Sequence, residues 1–183
     1  MHHNKCEVTV APEDAIYELL QGAAGDIPII FAEENGDRPP RPFITMVLRW
    51  AQSGPSEVGA VDCEGMQTVH GHRDATVELQ SFGNAAYDAL DQLVLTLQHT
   101  VHEERAEILG LALYDVGRLQ NIPINRDGVR YERRGVLELG IRYTRERAEF
   151  VGVISHVAGA GTTSGGLKPG RDMPFSVTVV TPP

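Results

Sequence analysis

The segment that decides the fold is "ATVELQSFGNAAYDALDQLVLTL", residues 75–97. In its first half, the apolar residues Ala75, Val77 and Leu79 alternate with polar ones. This two-residue period is typical of a strand that buries one face and exposes the other, as strands of antiparallel sheets commonly do. The second half changes period after Gly83, so the segment predicts a strand that passes directly into a helix.

The helical half begins after Asn84, whose side chain suits the N-cap position. Its apolar residues recur at spacings of three and four, which forms one stripe along a helix. The stripe consists of Leu90, Leu93, Val94, Leu97 and Val101. We therefore predict a long central helix.

Further elements lie on both sides of this segment. "APEDAIYELLQGAAG" (11–25) opens with proline and two acids and closes on glycine, which predicts a short N-terminal helix. "IPIIFAEE" (27–34), "FITMVLRWA" (43–51) and "RYERRGVLELGIRYTRE" (130–146) read as strands, the last by clear alternation. The predicted fold class is α+β: a mixed, mainly antiparallel β-sheet packed against the long central helix and the shorter N-terminal helix. "SGPSEVGAVDCEG" (53–65) and "NIPINRDG" (121–128) are predicted to be largely loop.

The C-terminal part has a different composition. "AGAGTTSGGLKPGRD" (158–172) is rich in Gly, Ser and Thr and predicts a flexible linker. "MPFSVTVVTPP" (173–183) regains alternating character and predicts a strand that pairs with another chain or folds back on its own sheet. The predicted domains are 1–157, and 158–183 as an extension.

Composition bounds the function. The chain has 183 residues, 42% of them hydrophobic, which suits one domain with a substantial core. The net charge of −9 and 6% aromatic content argue against a nucleic-acid-wrapping surface. Cys6 and Cys63 form no zinc or disulfide pattern, and no apolar run is long enough to span a bilayer. We expect a soluble protein that is made in a reducing cell interior and has no membrane partner.

Two segments are candidate contact surfaces. Pro39, Pro40, Arg41 and Pro42 form a stiff arm before a strand, and Arg130, Arg133 and Arg134 cluster in "RYERR". Stiff segments lose little entropy when they bind, and arginine suits carboxylate partners. We predict that both contact an oligomer or partner, although the arm alternatively only rounds a corner.

The sequence offers little support for a catalytic or cofactor site. His70 with His72 on a strand, or His99 with His102 on a helix, have the spacing of metal-ligand pairs. A metal-dependent hydrolase using these four residues is the alternative from another class; solvated histidines are the simpler reading. The sequence contains no H-E-x-x-H, P-loop or dinucleotide motif, so we predict no cofactor and no enzyme.

The order of three segments resembles the tail-terminator or neck-terminator family of tailed bacteriophages. They are "RPPRPFITMVLR" (38–49), "HRDATVELQSFGNAAYDALDQLVLTLQ" (72–98) and "YERRGVLELGIRYT" (131–144). The resemblance covers roughly residues 10–157, including Gly83, Ala86 and the strand from Glu132 to Arg142.

The resemblance implies a structural virion protein without catalytic residues. Similar proteins form a ring, commonly a homohexamer, on the head-proximal end of the tail tube, where they stop tube growth and offer a docking face to the head. The implied partners are further copies, the tube, any sheath and neck connectors, with DNA passing through the lumen. Another head–tail connector or a tail-completion protein is the nearest alternative.

Overall fold

The computed structural model describes residues 11–125, 131–152, 156–164 and 172–180. The elements, in chain order, are helix α1 (Pro12–Ala24), strands β1 (Ile29–Phe31), β2 (Phe43–Val61) and β3 (Met66–Phe82), helices α2 (Ala86–Leu97) and α3 (Thr100–Ile108), and strands β4 (Leu111–Val116), β5 (Gln120–Asn125), β6 (Tyr131–Phe150), β7 (His156–Ser164) and β8 (Asp172–Val180). The chain divides into two compact units, which are described separately.

The first unit comprises residues 1–56 and 71–145. Its sheet has the order β1-β2-β3-β6-β4, and β5 also pairs with β6. β1 runs parallel to β2, whereas β4 and β5 run antiparallel to β6. The α+β class and the mainly antiparallel sheet are therefore confirmed.

The core of this unit lies between one face of the sheet and the helices. The alternating residues of β3 and β6 that face the helices are fully buried, and they pack with the apolar stripes of α1 and α2. These buried residues include Val77, Leu79, Leu137, Leu139, Ile141, Ile16, Leu20, Leu90 and Leu93. The apolar faces of the strands, which repeat every two residues, and those of the helices, which repeat every 3.6, thus pack into one core.

The predicted long central helix is wrong. The chain forms two shorter helices, α2 with 12 residues and α3 with nine, and neither is longer than α1 with 13. His99 is extended (φ −73°, ψ 140°) and separates them. The buried stripe stops at Leu97, because Val101 is 72% exposed and contributes little to the core. α3 instead contributes Ala106 to the core.

α1 is tied to the sheet by one side chain. Gln21 accepts a hydrogen bond from the backbone N–H of Ile29 at 2.8 Å and donates to the carbonyl of Ile27 at 3.2 Å. Gly25 closes the helix at φ +61°, a conformation that glycine adopts without a Cβ penalty. This connection sets the position where β1 begins.

The second unit comprises residues 57–70 and 146–183. It contains the end of β2 and the start of β3, which are joined by a turn. In this turn the Asp62 carboxylate accepts hydrogen bonds from the backbone N–H groups of Glu64 (2.9 Å) and Met66 (2.8 Å). β7 and β8 pair antiparallel as a separate two-stranded sheet. None of the helices in the described ranges is both long and apolar enough to cross a bilayer.

Three predictions of irregular structure are wrong. Residues 53–61 continue β2 and residues 121–125 belong to β5, although both stretches were expected to be loop; residues 126–128 of the second predicted loop lie outside the described residues. The expected linker contributes residues 158–164 to β7, and its residues 165–171 lie outside the described residues. In each case backbone pairing with a neighbouring strand overrides a local composition of Gly, Pro and Asn. The domain boundary at 157/158 stays a prediction.

Candidate interaction surfaces

The proline arm and the start of β6 lie side by side. Arg41 forms an ion pair with Glu132. Gly83 also abuts the arm, since a Cβ built there would lie 3.5 Å from Cβ of Pro42. The two sequence-predicted contact segments are therefore parts of one surface.

An aromatic stack supports this surface. The rings of Phe43 and Phe82 are stacked with centroids 4.9 Å apart. The guanidinium carbon of Arg134 lies 5.3 Å from the Phe82 centroid, and that of Arg38 lies 6.0 Å from it. Both distances are within cation–π range. Phe82 thus brings an arginine of the arm segment close to an arginine of β6.

We call Arg38, Arg41 and Arg134 the basic patch. Arg38 and Arg41 are exposed, and Arg134 is half-buried against Phe82. Arg133 is also exposed, but it alternates with Arg134 along β6 and so lies on the opposite, helix-facing side of the sheet. Of the three predicted prolines, Pro40 and Pro42 are exposed and Pro39 is half-buried. Arg130, the remaining predicted contact residue, lies outside the described residues. The sequence reasoning missed Arg38, Phe82 and Glu132; only Arg38 carried a signal, as the first residue of "RPPRP".

The sheet face that points away from the helices carries two paired arginines. Arg49 Nε and Nη2 donate to the Glu78 carboxylate at 3.0 and 2.7 Å. Arg142 Nε and Nη2 donate to the Asp74 carboxylate at 2.6 and 2.9 Å. Two parallel hydrogen bonds fix both partners more strongly than a single contact does. These pairs link β3 to β2 on one side and to β6 on the other.

These pairs lower the carboxyl pKa values. Hydrogen bonds from Arg142 hold the pKa of Asp74 below its ordinary value. Hydrogen bonds from Arg49, and also from Gln80, hold the pKa of Glu78 below its ordinary value. In both cases the bonds favour the charged form and outweigh the cost of partial burial.

We expect this face to make folding stability fall in acid. Because the folded pKa values lie below the unfolded ones, the unfolded chain binds more protons, and stability is lost as the pH falls below about 4 towards the folded pKa values. Denaturation of Asp74→Asn/Glu78→Gln should show a flatter decline between pH 5 and pH 2 than the wild type, with Glu34→Gln as control. A decline equally steep in the double variant would contradict the pairing.

The four candidate metal-binding histidines lie apart in two environments. On β3, His70 Nδ1 is 2.9 Å from Glu146 Oε1, and His72 Nδ1 is 3.0 Å from Thr144 Oγ1. His99 precedes α3 and His102 lies in its first turn. Within the described ranges, no group of three or more His, Cys, Asp or Glu side chains is arranged to hold a metal ion.

Most of the chain matches one protein family. Residues 13–166 match the family model described as phage neck terminator protein. The chain belongs to this family. The match includes α1 from its second residue, the whole sheet of the first unit and the basic patch, and it confirms the resemblance carried by the three sequence segments. A comparison with curated proteins finds no match.

Membership defines the kind of protein. Phage neck terminator proteins are structural components of the region that joins head and tail, and hence of the virion. Their association is with other head and tail proteins.

Proposed function

We propose that this chain forms a closed homo-oligomeric ring, a hexamer, at the head-proximal end of a phage tail. The ring stops growth of the tail tube and joins the tail to the neck. The observation that carries the proposal is the family match over residues 13–166, which spans the helix and sheet layer of the first unit except for Pro12. The partners are the tube, a sheath where one exists, and the neck connector, and the DNA passes through the lumen.

The basic patch is the proposed contact surface for a second copy or for one of these partners. Three arginines are concentrated there in a chain of net charge −9, so acidic surfaces for them to meet are abundant. The proposed contact residues are Pro39, Pro40, Arg41, Pro42, Arg133 and Arg134, together with Arg130. The ion pair with Glu132 and the stack on Phe82 hold the patch in place, which lowers the entropy lost on binding.

The function is tested by growing tail tubes from purified tube protein in the presence of this chain. A ring that caps tube ends should arrest elongation at amounts far below those of the tube subunit, because one ring suffices for each end. Electron micrographs should show an extra ring at one end of every arrested tube. Tubes that keep growing at a molar excess of the chain would reject the capping function.

We expect replacement of Pro39, Pro40 and Pro42 by glycine to weaken assembly more than folding. Pro40 and Pro42 are exposed, so little burial is lost, whereas each released residue costs about 1–2 kcal/mol of backbone entropy to order again at a contact. The concentration at the midpoint of assembly should rise about tenfold or more, with a nearly unchanged melting temperature. Analytical ultracentrifugation and circular dichroism measure the two quantities. A lowered melting temperature with intact assembly would show that the arm only rigidifies the entry to β2.

A further inference from the structure

A cleft of about 350 Å³ lies between α3 and β4. The residues that line it include the apolar Leu19, Leu97, Ala106, Leu111 and Leu113 and, on α3, the acidic Glu103 and Glu107. β4 ends the strand order, so among the described residues no strand pairs with its outer edge. A cleft between a helix and a free edge strand is the geometry in which an added strand can place side chains.

A second free edge is available on β2. β1 pairs with β2 only from Ile44 to Met46, and among the described residues no strand follows it along the outer edge from Val47 to Ser56. Trp50 lies in this stretch and is 54% exposed. An exposed tryptophan beside unpaired backbone groups is a strong candidate for a contact residue.

Trp50 lies on the same face of the sheet as the cleft. Ile44 and Met46 are buried against the helices, and Arg49 pairs with Glu78 on the opposite face. With two-residue alternation, Trp50 therefore continues the helix-facing row of β2. Leu111 of β4 is likewise buried on the helix side, where it lines the cleft.

We propose that β2 of a second copy pairs with β4 through their free edges, and that Trp50 of that copy fills the α3–β4 cleft. This inference rests on the proposed ring and specifies its subunit contact. The two edges differ, so the contact is heterologous, the type that closes into a ring by rotation.

The strand directions agree with this arrangement. A tight turn joins β2 to β3, so these two strands run in opposite directions. Residue 74 contacts residue 142 and residue 72 contacts residue 144, so β3 and β6 also run in opposite directions. β4 is antiparallel to β6. β4 consequently runs opposite to β2. In copies related by rotation about an axis along the strands, β4 meets the neighbouring β2 antiparallel, the more stable pairing.

The charge distribution supports the choice of a second copy. Residues 43–56 contain no acid, and their one charged side chain, Arg49, is paired with Glu78 on the other face, so this edge brings no negative charge to a cleft whose lining includes the carboxylate residues Glu103 and Glu107. A buried indole N–H requires an acceptor, and these carboxylates can supply one. The isolated protomer leaves both the indole and the cleft exposed to water.

Tryptophan emission tests the inference directly, because Trp50 is the only tryptophan of the chain. Its emission should shift to shorter wavelength over the same concentration range in which sedimentation detects the ring. Trp50→Ser should raise the midpoint concentration of assembly about tenfold or more. Tyr87→Ser, which changes an aromatic residue on α2 that is 38% exposed, should leave the midpoint unchanged.

A matched pair on α3 tests the cleft itself. Glu107 lines the cleft, whereas Glu104, also exposed on α3, does not. Glu107→Lys should raise the midpoint concentration, and Glu104→Lys, with the same change of net charge, should not. A ring that forms with red-shifted Trp50 emission, or that tolerates Trp50→Ser, overturns this contact and leaves the ring function standing. A chain that stays monomeric at every concentration and still fails to cap tubes overturns both.

Discussion

Replacing Leu90 with alanine should lower the free energy of unfolding by about 2–5 kcal/mol. Leu90 is fully buried on α2, within the core cluster that also contains Leu79 and Leu137. Truncation removes its burial and leaves a cavity that the surrounding sheet cannot close, because protein interiors are densely packed. Chemical denaturation followed by circular dichroism measures the loss.

Leu95 provides the matched control on the same helix. It is 51% exposed, so Leu95→Ala should change stability by no more than about 0.5 kcal/mol. Equal losses for the two variants would mean that α2 does not bury its predicted stripe, and the arrangement of α2 on the sheet would be rejected.

The second large effect concerns Gly135 on β6, which lies against α2. A Cβ built at Gly135 would lie 2.7 Å from the carbonyl oxygen of Ala86 and 3.0 Å from Cδ1 of Leu90. Gly135→Ala should therefore lower the free energy of unfolding by about 1–3 kcal/mol, as overpacking in a core does. The first contact is with backbone, so a rotamer change cannot relieve it.

Gly22 on α1 is the control glycine. Nothing lies within 4 Å of a Cβ built there, and the backbone is helical. Gly22→Ala should raise the free energy of unfolding by about 0.5–1 kcal/mol, opposite in sign to Gly135→Ala. Stabilisation by both substitutions would show that α2 can move away from β6 at no cost.

The double variant Leu90→Ala/Gly135→Ala separates the two contacts of Gly135. Shortening Leu90 removes one of them, so the combined loss should be smaller than the sum of the single losses. The carbonyl of Ala86 stays in place, so some of the penalty should persist. Additive losses would mean that Leu90 does not contribute to the penalty at position 135.

The sequence alone predicted those strands and helices in which the spacing of apolar residues specifies the buried face. The alternation of Ala75, Val77 and Leu79 and the spacing of Leu90, Leu93 and Leu97 each specify one buried face. Their order along the chain was also sufficient to indicate the neck terminator family. These features could be predicted because they depend on near neighbours in sequence.

Pairing between distant segments was decided only in the tertiary structure. β5 and β7 form although Pro, Asn and Gly occur in them, because β6 and β8 supply backbone partners that no local pattern contains. The helix breaks at the extended residue His99, and α3 then buries Ala106 in the core while Val101 stays exposed.

The candidate surfaces divide in the same way. "RPPRP" and "RYERR" were identifiable as exposed and basic, since proline and arginine have these properties in any fold. They form one surface because Phe82, at the end of β3, contacts Arg134, and Glu132, at the start of β6, pairs with Arg41. Those contacts depend on the pairing of strands that are distant in sequence. The two edges that the described strands leave unpaired also depend on the tertiary structure. The strand order places β4 outermost, and β1 covers β2 only from Ile44 to Met46. Strand order arises from long-range packing of a shared core, so a single sequence indicates the strands but not which of them lie at the edge.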